Sequence, residues 1–288
     1  MEKAAQADCH IHMVLDRAYY KAAIAAHEQQ PREDLIRSVL ASYQALGFTY
    51  LRDGGDRWGV GLKAREIAPE YGITYRSPGF PIYKISHYGA FIGRGFADLT
   101  EYRQRISEAR DLGCDFIKVM ISGLMDFDHC GVLTEDGLSS EEIRDMVHIA
   151  HEEGFALMAH ANGSRIVTAA AEAGADSVEH GAYLNEEALA AMASSGTVWV
   201  PTLSTIGNLR GTGRFNETEV CKILETAMEN VVKFHRMGGI LAPGSDAGAF
   251  AVPHGKGGLS EYALLREVLG KETDAALECG ITAIRKKF

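Results

Sequence analysis

Eight times along the chain a short apolar or β-branched run gives way to a stretch with helical spacing, and this alternation limits the fold more than any other feature. The expected strands are Ala7–Met13, Phe48–Asp53, Ile73–Ser77, Phe116–Ile121, Ala156–His160, Ser177–His180, Val198–Thr202 and Gly239–Ser245. The helical stretches are Arg32–Leu46, Gly59–Glu70, Leu99–Leu112, Ser140–Glu153, Ser164–Ala173, Asn185–Ser195, Glu217–Met237 and Leu259–Leu269. Several of them end on the Gly that a left-handed C-cap favours, as in Leu46-Gly47, Leu112-Gly113, Glu153-Gly154 and Ala173-Gly174. Leu138-Ser139-Ser140-Glu141-Glu142 offers a Ser cap with Glu two and three residues on. Strict β-then-α repetition favours a parallel α/β sheet, and eight units is the number that closes a (β/α)8 TIM barrel. A doubly wound open sheet would carry a Gly-rich phosphate loop after its first strand, and Asp8-Cys9-His10-Ile11-His12 is no such loop. No linker or shift in composition divides the 288 residues, so one barrel domain over 1–288 is expected.

Barrel enzymes carry their chemistry at the carboxyl ends of the strands, so metal-ligating residues should gather there. His10 and His12 lie two apart near the end of the first strand and share a face; Asp8 is expected on that face too, with Cys9 and Ile11 turned outward. Lys118 is a charged residue inside the apolar run Phe116-Ile117-Lys118-Val119-Met120-Ile121. His160 ends the fifth strand, His180 ends the sixth, and Asp246 follows the eighth in Gly244-Ser245-Asp246-Ala247-Gly248. Taken singly, each has a bland reading: an incidental His-x-His, a snorkelling lysine, a core histidine bonded to a carbonyl, an Asx cap. Six such residues near one end of one barrel are far less expected by chance. Imidazole and carboxylate are also the ligands that zinc and similar divalent metals take.

These stretches, together with Gly47-Phe48-Thr49-Tyr50-Leu51-Arg52-Asp53, Ala159-His160-Ala161, Ser177-Val178-Glu179-His180-Gly181 and Val200-Pro201-Thr202-Leu203, resemble the amidohydrolase superfamily, and within it the imidazolonepropionase-like and Xaa-Pro or Xaa-Arg dipeptidase branch. They span nearly the whole chain in the expected order. The resemblance implies that His10, His12 and Asp246 hold the more buried metal and His160 and His180 the more exposed one, with Lys118 bridging them as a carboxylated lysine. Zinc is the expected ion, two per chain if Lys118 is carboxylated and one otherwise. It implies a hydroxide between the metals as nucleophile, since coordination lowers the pKa of water to about 7, with Asp246 as the proton shuttle. The expected reaction is hydrolysis of an amide or related C–N bond in a dipeptide, N-acyl amino acid or cyclic amide. A metal-dependent decarboxylase or lyase and a non-catalytic barrel are the alternatives. Only seven residues precede Asp8 and the chain stops soon after Glu278-Cys279-Gly280, so the family's accessory β-sandwich is not expected, and a minimal barrel or a truncated product is.

Substrate contacts are expected from His87 and Tyr88 after the third strand, Tyr183 after the sixth and His254 after the eighth. Arg210 and Arg214, in a glycine-rich loop after the seventh strand, could hold a substrate carboxylate, although solvated surface is the plainer reading. The formal charge of -10, from 29 basic and 39 acidic residues, argues against nucleic-acid and anionic-membrane partners. A small-molecule substrate and self-association as a homo-oligomer are expected instead. Five scattered cysteines without a Cys-x-x-Cys pair argue against a disulfide framework or structural zinc site. With no apolar core at the start and no apolar run long enough for a membrane span, a cytoplasmic enzyme is expected.

Overall fold

The computed structural model describes residues 6–288; residues 1–5, most of the start read above as lacking an apolar leader, lie outside the described residues. Strands β1 (Gln6–Ile11), β2 (Phe48–Asp53) and β3 (Thr74–Arg76) form one sheet in that order. Strands β4 (Pro81–Lys84), β5 (Arg94–Phe96), β6 (Ile117–Met120), β7 (Leu157–Ala161), β8 (Ser177–His180) and β9 (Val198–Val200) form a second, ordered β5-β4-β6-β7-β8-β9. Every pairing in both is parallel. Parallel neighbours need long crossovers; helices supply them from β1 to β3 and from β5 to β9, while the helix-free segment 85–93 joins β4 to β5, and helix cover leaves β6 and β7 buried along their whole length.

All eight expected helices form, with ends moved by a few residues: Glu33–Ala45, Val60–Ile67, Leu99–Asp111, Ser140–Glu152, Ser164–Ala173, Glu186–Ser195, Glu217–Arg236 and Lys256–Leu269. The Ser139 cap is a complete capping box: Ser139 Oγ accepts from the Glu142 N–H at 3.2 Å, and Glu142 Oε2 accepts from the Ser139 N–H at 3.1 Å. That helix buries Ile143, Met146, Val147 and Ala150, one stripe at helical spacing, each worth roughly 1–3 kcal/mol of transfer free energy for the larger side chains. The sequence reading did not foresee the helices Tyr20–Ala25, Leu203–Gly207 and Thr273–Lys287, nor β4 and β5.

An α/β fold of parallel sheets is what forms, but the strands do not close into one continuous ring of ladders, for two physical reasons. First, the third strand is broken. Chain direction changes at Ser77-Pro78-Gly79, where Pro78 has no N–H to donate and Gly79 adopts φ +69° with Cys114 Sγ only 2.4 Å from where a Cβ would stand. One half, β3, therefore pairs with β2, and the other, β4, with β6. Second, the expected eighth strand makes one isolated bridge, Trp199 to Leu241, and Ala247 just beyond it makes another, to Ile11. The Trp199 N–H donates to the Ile240 carbonyl at 2.9 Å and the Cys9 N–H to the Pro243 carbonyl at 2.8 Å, so this segment touches both β9 and β1.

Within β1 the pairing register shifts between Asp8 and Ile11. A one-residue slip turns side chains to the other face, and it corrects the expected Asp8–His10–His12 row. Cys9 packs inward with Ala7, Tyr50, Phe116, Met158 and Val198, residues near the amino ends of strands from both sheets. Ile284 and Phe288 of the last helix belong to the same cluster. Asp8 instead accepts from Ser245 Oγ at 2.5 Å, the Ser245 N–H at 2.8 Å and Tyr43 Oη at 3.3 Å.

Candidate metal centre

The carboxyl ends of the strands bring together the residues singled out in the sequence. His10 Nε2 and His12 Nε2 lie 3.5 and 3.3 Å from Asp246 Oδ1, and one ligating atom from each of the three fits within 4.8 Å of the others. His180 lies beside His10 with ring centroids 5.1 Å apart, and His160 lies 4.7 Å from His180. Lys118 projects from β6 between Pro81 of β4 and Met158 of β7. His160 and His180 thus adjoin the tight His10–His12–Asp246 group without being part of it. Two of these groups, and one that touches them, have left-handed backbone: His180 has φ +67°, Asp246 φ +56°, and Thr202, which touches His180, φ +49°. Left-handed non-glycine residues cost energy and concentrate where side chains must be aimed.

Acceptors around the site fix which nitrogen His10 and His160 present, while His12 Nδ1 is buried without a partner. His10 Nδ1 lies 2.7 Å from Glu179 Oε2, so its N–H donates there and Nε2 is left with a lone pair. Glu179 Oε1 accepts from Arg52 at 2.8 Å and from Ser177 Oγ at 2.5 Å, and Arg52 also donates to the Cys9 carbonyl at 2.7 Å. Arg52 and Glu179 are both fully buried, and the Arg52 guanidinium lies 4.4 Å from the Phe288 ring centroid. His180 Nδ1 is 2.8 Å from Thr202 Oγ1, and His160 Nε2 is 3.2 Å from the Gly123 carbonyl. Neither Arg52, Glu179 nor Thr202 was singled out from the sequence. The available signal was a charged residue inside each of two short apolar strands, Leu51-Arg52-Asp53 and Val178-Glu179-His180.

Burial dominates the electrostatics. It holds His12 and His160 at about 3, with Lys118 nearby adding to the effect, and keeps His10 and His180 well below the ordinary imidazole value. All four are therefore neutral at pH 7, the form that donates a lone pair. Burial pushes the Asp246 carboxyl up to about 7, opposed by Lys118, and brings the Lys118 amine down to about 8, opposed by Glu179 and Asp246. His10 Nε2, Lys118 Nζ and Asp246 Oδ1 are all buried without a hydrogen-bond partner. Native proteins seldom leave three such atoms unpaired in one place, and the imidazole nitrogen and carboxylate oxygen among them are donors that suit a divalent cation.

These groups line one part of a cavity of about 410 Å³. Tyr88 reaches it, with its ring 5.0 Å from His160. His87, Tyr183 and His254 do not: His87 faces Glu135, Tyr183 lines a small space behind His180, and His254 Nε2 is tied to the Leu15 carbonyl at 2.9 Å. Arg214 lines the cavity, while Arg210 turns away towards Cys221 and Glu225. Much of the remaining wall is apolar, including Phe91, Phe127, Phe215, Phe250, Met120 and Met125. A larger groove of about 880 Å³ between the helices Leu99–Asp111 and Ser140–Glu152 shares no lining residue with it and carries exposed polar side chains.

No family model matches the chain. Among proteins of known function it is similar to ochratoxinase of Aspergillus niger, 26% identical over 242 aligned residues that cover 69% of this chain and 47% of that one. The chain thus spans about half the length of the curated relatives it matches. A solved Xaa-Pro dipeptidase with bound methionine superimposes with a TM-score of 0.78 at 19% identity, covering 98% of this chain and 75% of that one. A solved amidohydrolase gives 0.78 at 20%, covering 98% and 74%, and the A. niger ochratoxinase structure gives 0.75 at 21%, covering 98% and 71%. The chain thus has the fold of these solved Xaa-Pro dipeptidase, amidohydrolase and ochratoxinase structures, in line with the resemblance drawn from the sequence.

Proposed function

We infer that this chain is a metal-dependent hydrolase of an amide or related C–N bond in a small molecule. One observation carries the reading: His10 Nε2, Asp246 Oδ1 and Lys118 Nζ, buried and without partners, line the same apolar cavity. The fold shared with amidohydrolases and dipeptidases supports it. His10, His12 and Asp246 would hold one divalent cation, with zinc the expected ion, and His160 and His180 a second beside it. When bound, such a cation supplies the positive charge that polarises a scissile carbonyl and lowers the pKa of water to about 7.

Lys118 can bridge the two positions only as an anion. Its lone pair would add to the carbon of carbon dioxide as one C=O π pair moves to oxygen, the nitrogen would lose a proton, and the resulting carbamate would share a single negative charge over two oxygens. An amine held at about 8 is partly neutral near physiological pH, which is the reactive form. Asp246, whose Oδ1 lies beside His10 and His12 at the cavity wall, would take a proton from the attacking water and return it to the departing nitrogen. Glu179 and Thr202 keep the His10 and His180 rings from turning.

The reading extends to the architecture: the two sheets are arcs of one (β/α)8 barrel spanning the chain. The segment 240–247, bonded to β1 and β9, supports this, as does the inner cluster drawn from both sheets. A cytoplasmic setting accords with the five free cysteines; among the described residues no helix is long and apolar enough to cross a membrane. Elemental analysis of gently purified protein should find close to two metals per chain, and a panel of dipeptides, N-acyl amino acids and lactones should show release of amine with the first two classes. Metal-free protein would sink the cage, and a fully metallated protein inert to every amide would sink the hydrolase.

A further inference from the structure

Away from the histidines, Lys118 and Asp246 the cavity wall is mainly aromatic and aliphatic, with Asn162 and Thr205 among its few polar side chains, and it includes the guanidinium of Arg214, an exposed residue. Arg214 lies in the loop Gly211-Thr212-Gly213-Arg214, stacked 4.1 Å from the Phe250 centroid and 5.3 Å from the Phe215 centroid. Phe215 in turn packs on Phe127 at 5.2 Å, so three rings brace the stack. All four side chains line the cavity that contains His10, Lys118 and Asp246. Arg214 makes no ion pair with a carboxylate of its own chain among the described residues, although most of the other arginines do; Arg32, Arg37, Arg94, Arg103, Arg105 and Arg266 are examples. Aromatic stacking engages the faces of a guanidinium and leaves its in-plane N–H fork free. That fork matches the two oxygens of a carboxylate.

The geometry points to Arg214 as a specificity-determining residue that binds a carboxylate on the substrate. It selects anionic amides whose remaining bulk is aromatic or aliphatic, the N-aroyl and N-acyl derivatives of apolar amino acids, over neutral or cationic amides. This deepens the hydrolase reading and rests on it for the position of the scissile bond. Phe91, with Tyr88 and Tyr20 in ring contact at 5.6 and 5.7 Å, offers the apolar part of such a molecule a second aromatic surface in the same cavity. Lys118, the other basic side chain lining the cavity, is fully buried and belongs to the cage, so it leaves Arg214 as the cation available to a substrate group away from the bond being cleaved.

The test uses a matched pair, N-benzoyl-L-leucine and N-benzoyl-L-leucinamide, which differ by a carboxylate against a carboxamide. Dissociation constants are measured on chelator-treated protein by ligand-detected NMR, and hydrolysis of both is followed separately on metal-loaded protein. Wild type should bind the acid about 10- to 100-fold more tightly than the amide, the range of a charge-assisted hydrogen-bond pair. Arg214→Gln should abolish that preference while leaving carboxamide binding within about twofold, and Arg214→Lys should keep part of it, because a point charge lacks the fork. The proposal is overturned if wild type binds neither compound, if it shows no preference for the acid, or if Arg214→Gln retains the preference. Retained acid preference with no hydrolysis of either compound would refute the hydrolase and leave Arg214 as a carboxylate site.

Discussion

Replacing Glu179 by Gln removes one negative charge and almost no volume, and the surroundings make its consequence unusually definite. Glu179 accepts on both oxygens, from His10 Nδ1 on one and from Arg52 and Ser177 on the other. A glutamine has one acceptor and one donor end. With its carbonyl towards Arg52, its NH2 faces His10 Nδ1, which must then accept; the proton moves to Nε2 and the lone pair that faced Asp246 is lost. With its carbonyl towards His10, its NH2 meets the Arg52 guanidinium, donor against donor, in a fully buried place. The first arrangement should weaken metal binding by about 10- to 100-fold, as loss of such supporting bonds does elsewhere. The second strands a buried cation, at a cost of about 3–5 kcal/mol. Metal affinity by chelator competition and stability by urea unfolding of the metal-free protein measure the two separately. At least one must fall by these amounts. A Glu179→Gln variant that matches wild type in both would show that the His10–Glu179–Arg52 chain does not set the ring, and the argument for Nε2 as the presented nitrogen would go with it.

Three other outcomes are expected. Lys118→Ala should lose most activity and at least one metal, and acetate or propionate should restore part of both by filling the space with an anion; full metal content and turnover without added acid would make Lys118 a buried structural lysine. Asp246→Asn should lower kcat by about 10²-fold or more, since general acid–base catalysis contributes that much, with little change in Tm of the metal-loaded protein because Asn tolerates the left-handed φ of +56°. A variant that unfolds while its folded fraction keeps turnover would refute the shuttle. Glu261 is buried, accepts from the Ser204 N–H at 2.7 Å, and is pushed by burial from 4.5 to about 8. A carboxyl with a raised folded pKa keeps its proton where the unfolded chain has lost it, so its contribution to stability declines as pH rises from 4.5 through 8. Glu261→Gln should therefore lose less Tm than wild type between pH 5 and 9, and parallel Tm–pH curves would contradict the shift.

The β/α alternation was legible because each element repeats a period that burial enforces, 3.6 in the helix Ser140–Glu152 and a nearly continuous apolar run in β6. The break in the third strand was written in Ser77-Pro78-Gly79, yet Ile73–Ser77 alone looked like a whole strand, so the resumption at Pro81 went unseen. Asp8 was assigned to the wrong face because a register shift leaves no mark on residue spacing. His10, His12, Lys118, His160, His180 and Asp246 could be found because imidazole, amine and carboxylate are out of place at apolar strand ends. His87, Tyr183 and His254 shared only their position after a strand, and that places a residue near the catalytic face without aiming its side chain. The aromatic wall was hidden for the opposite reason: Phe91, Phe215 and Phe250 lie in separate loops that only folding brings around one space.

Asp8 and Ser245, hydrogen-bonded at 2.8 Å, are 237 residues apart in sequence, and the candidate ligands His10, His12 and Asp246 are neighbours of that bond. A growing polypeptide therefore exposes two of the three ligands almost at once and must wait for nearly all its length before the third arrives. During synthesis the amino-terminal strand can pair with β2 early, but its other flank stays open until the segment 240–247 emerges. An ion captured then would act as a clasp between β1 and the segment 240–247, favouring the joined fold by mass action because the unjoined one cannot hold it. Ribosome-bound chains halted before residue 246 should contain both histidines and retain no metal at this triad, so that loading the ion reports that the segment 240–247 has reached β1.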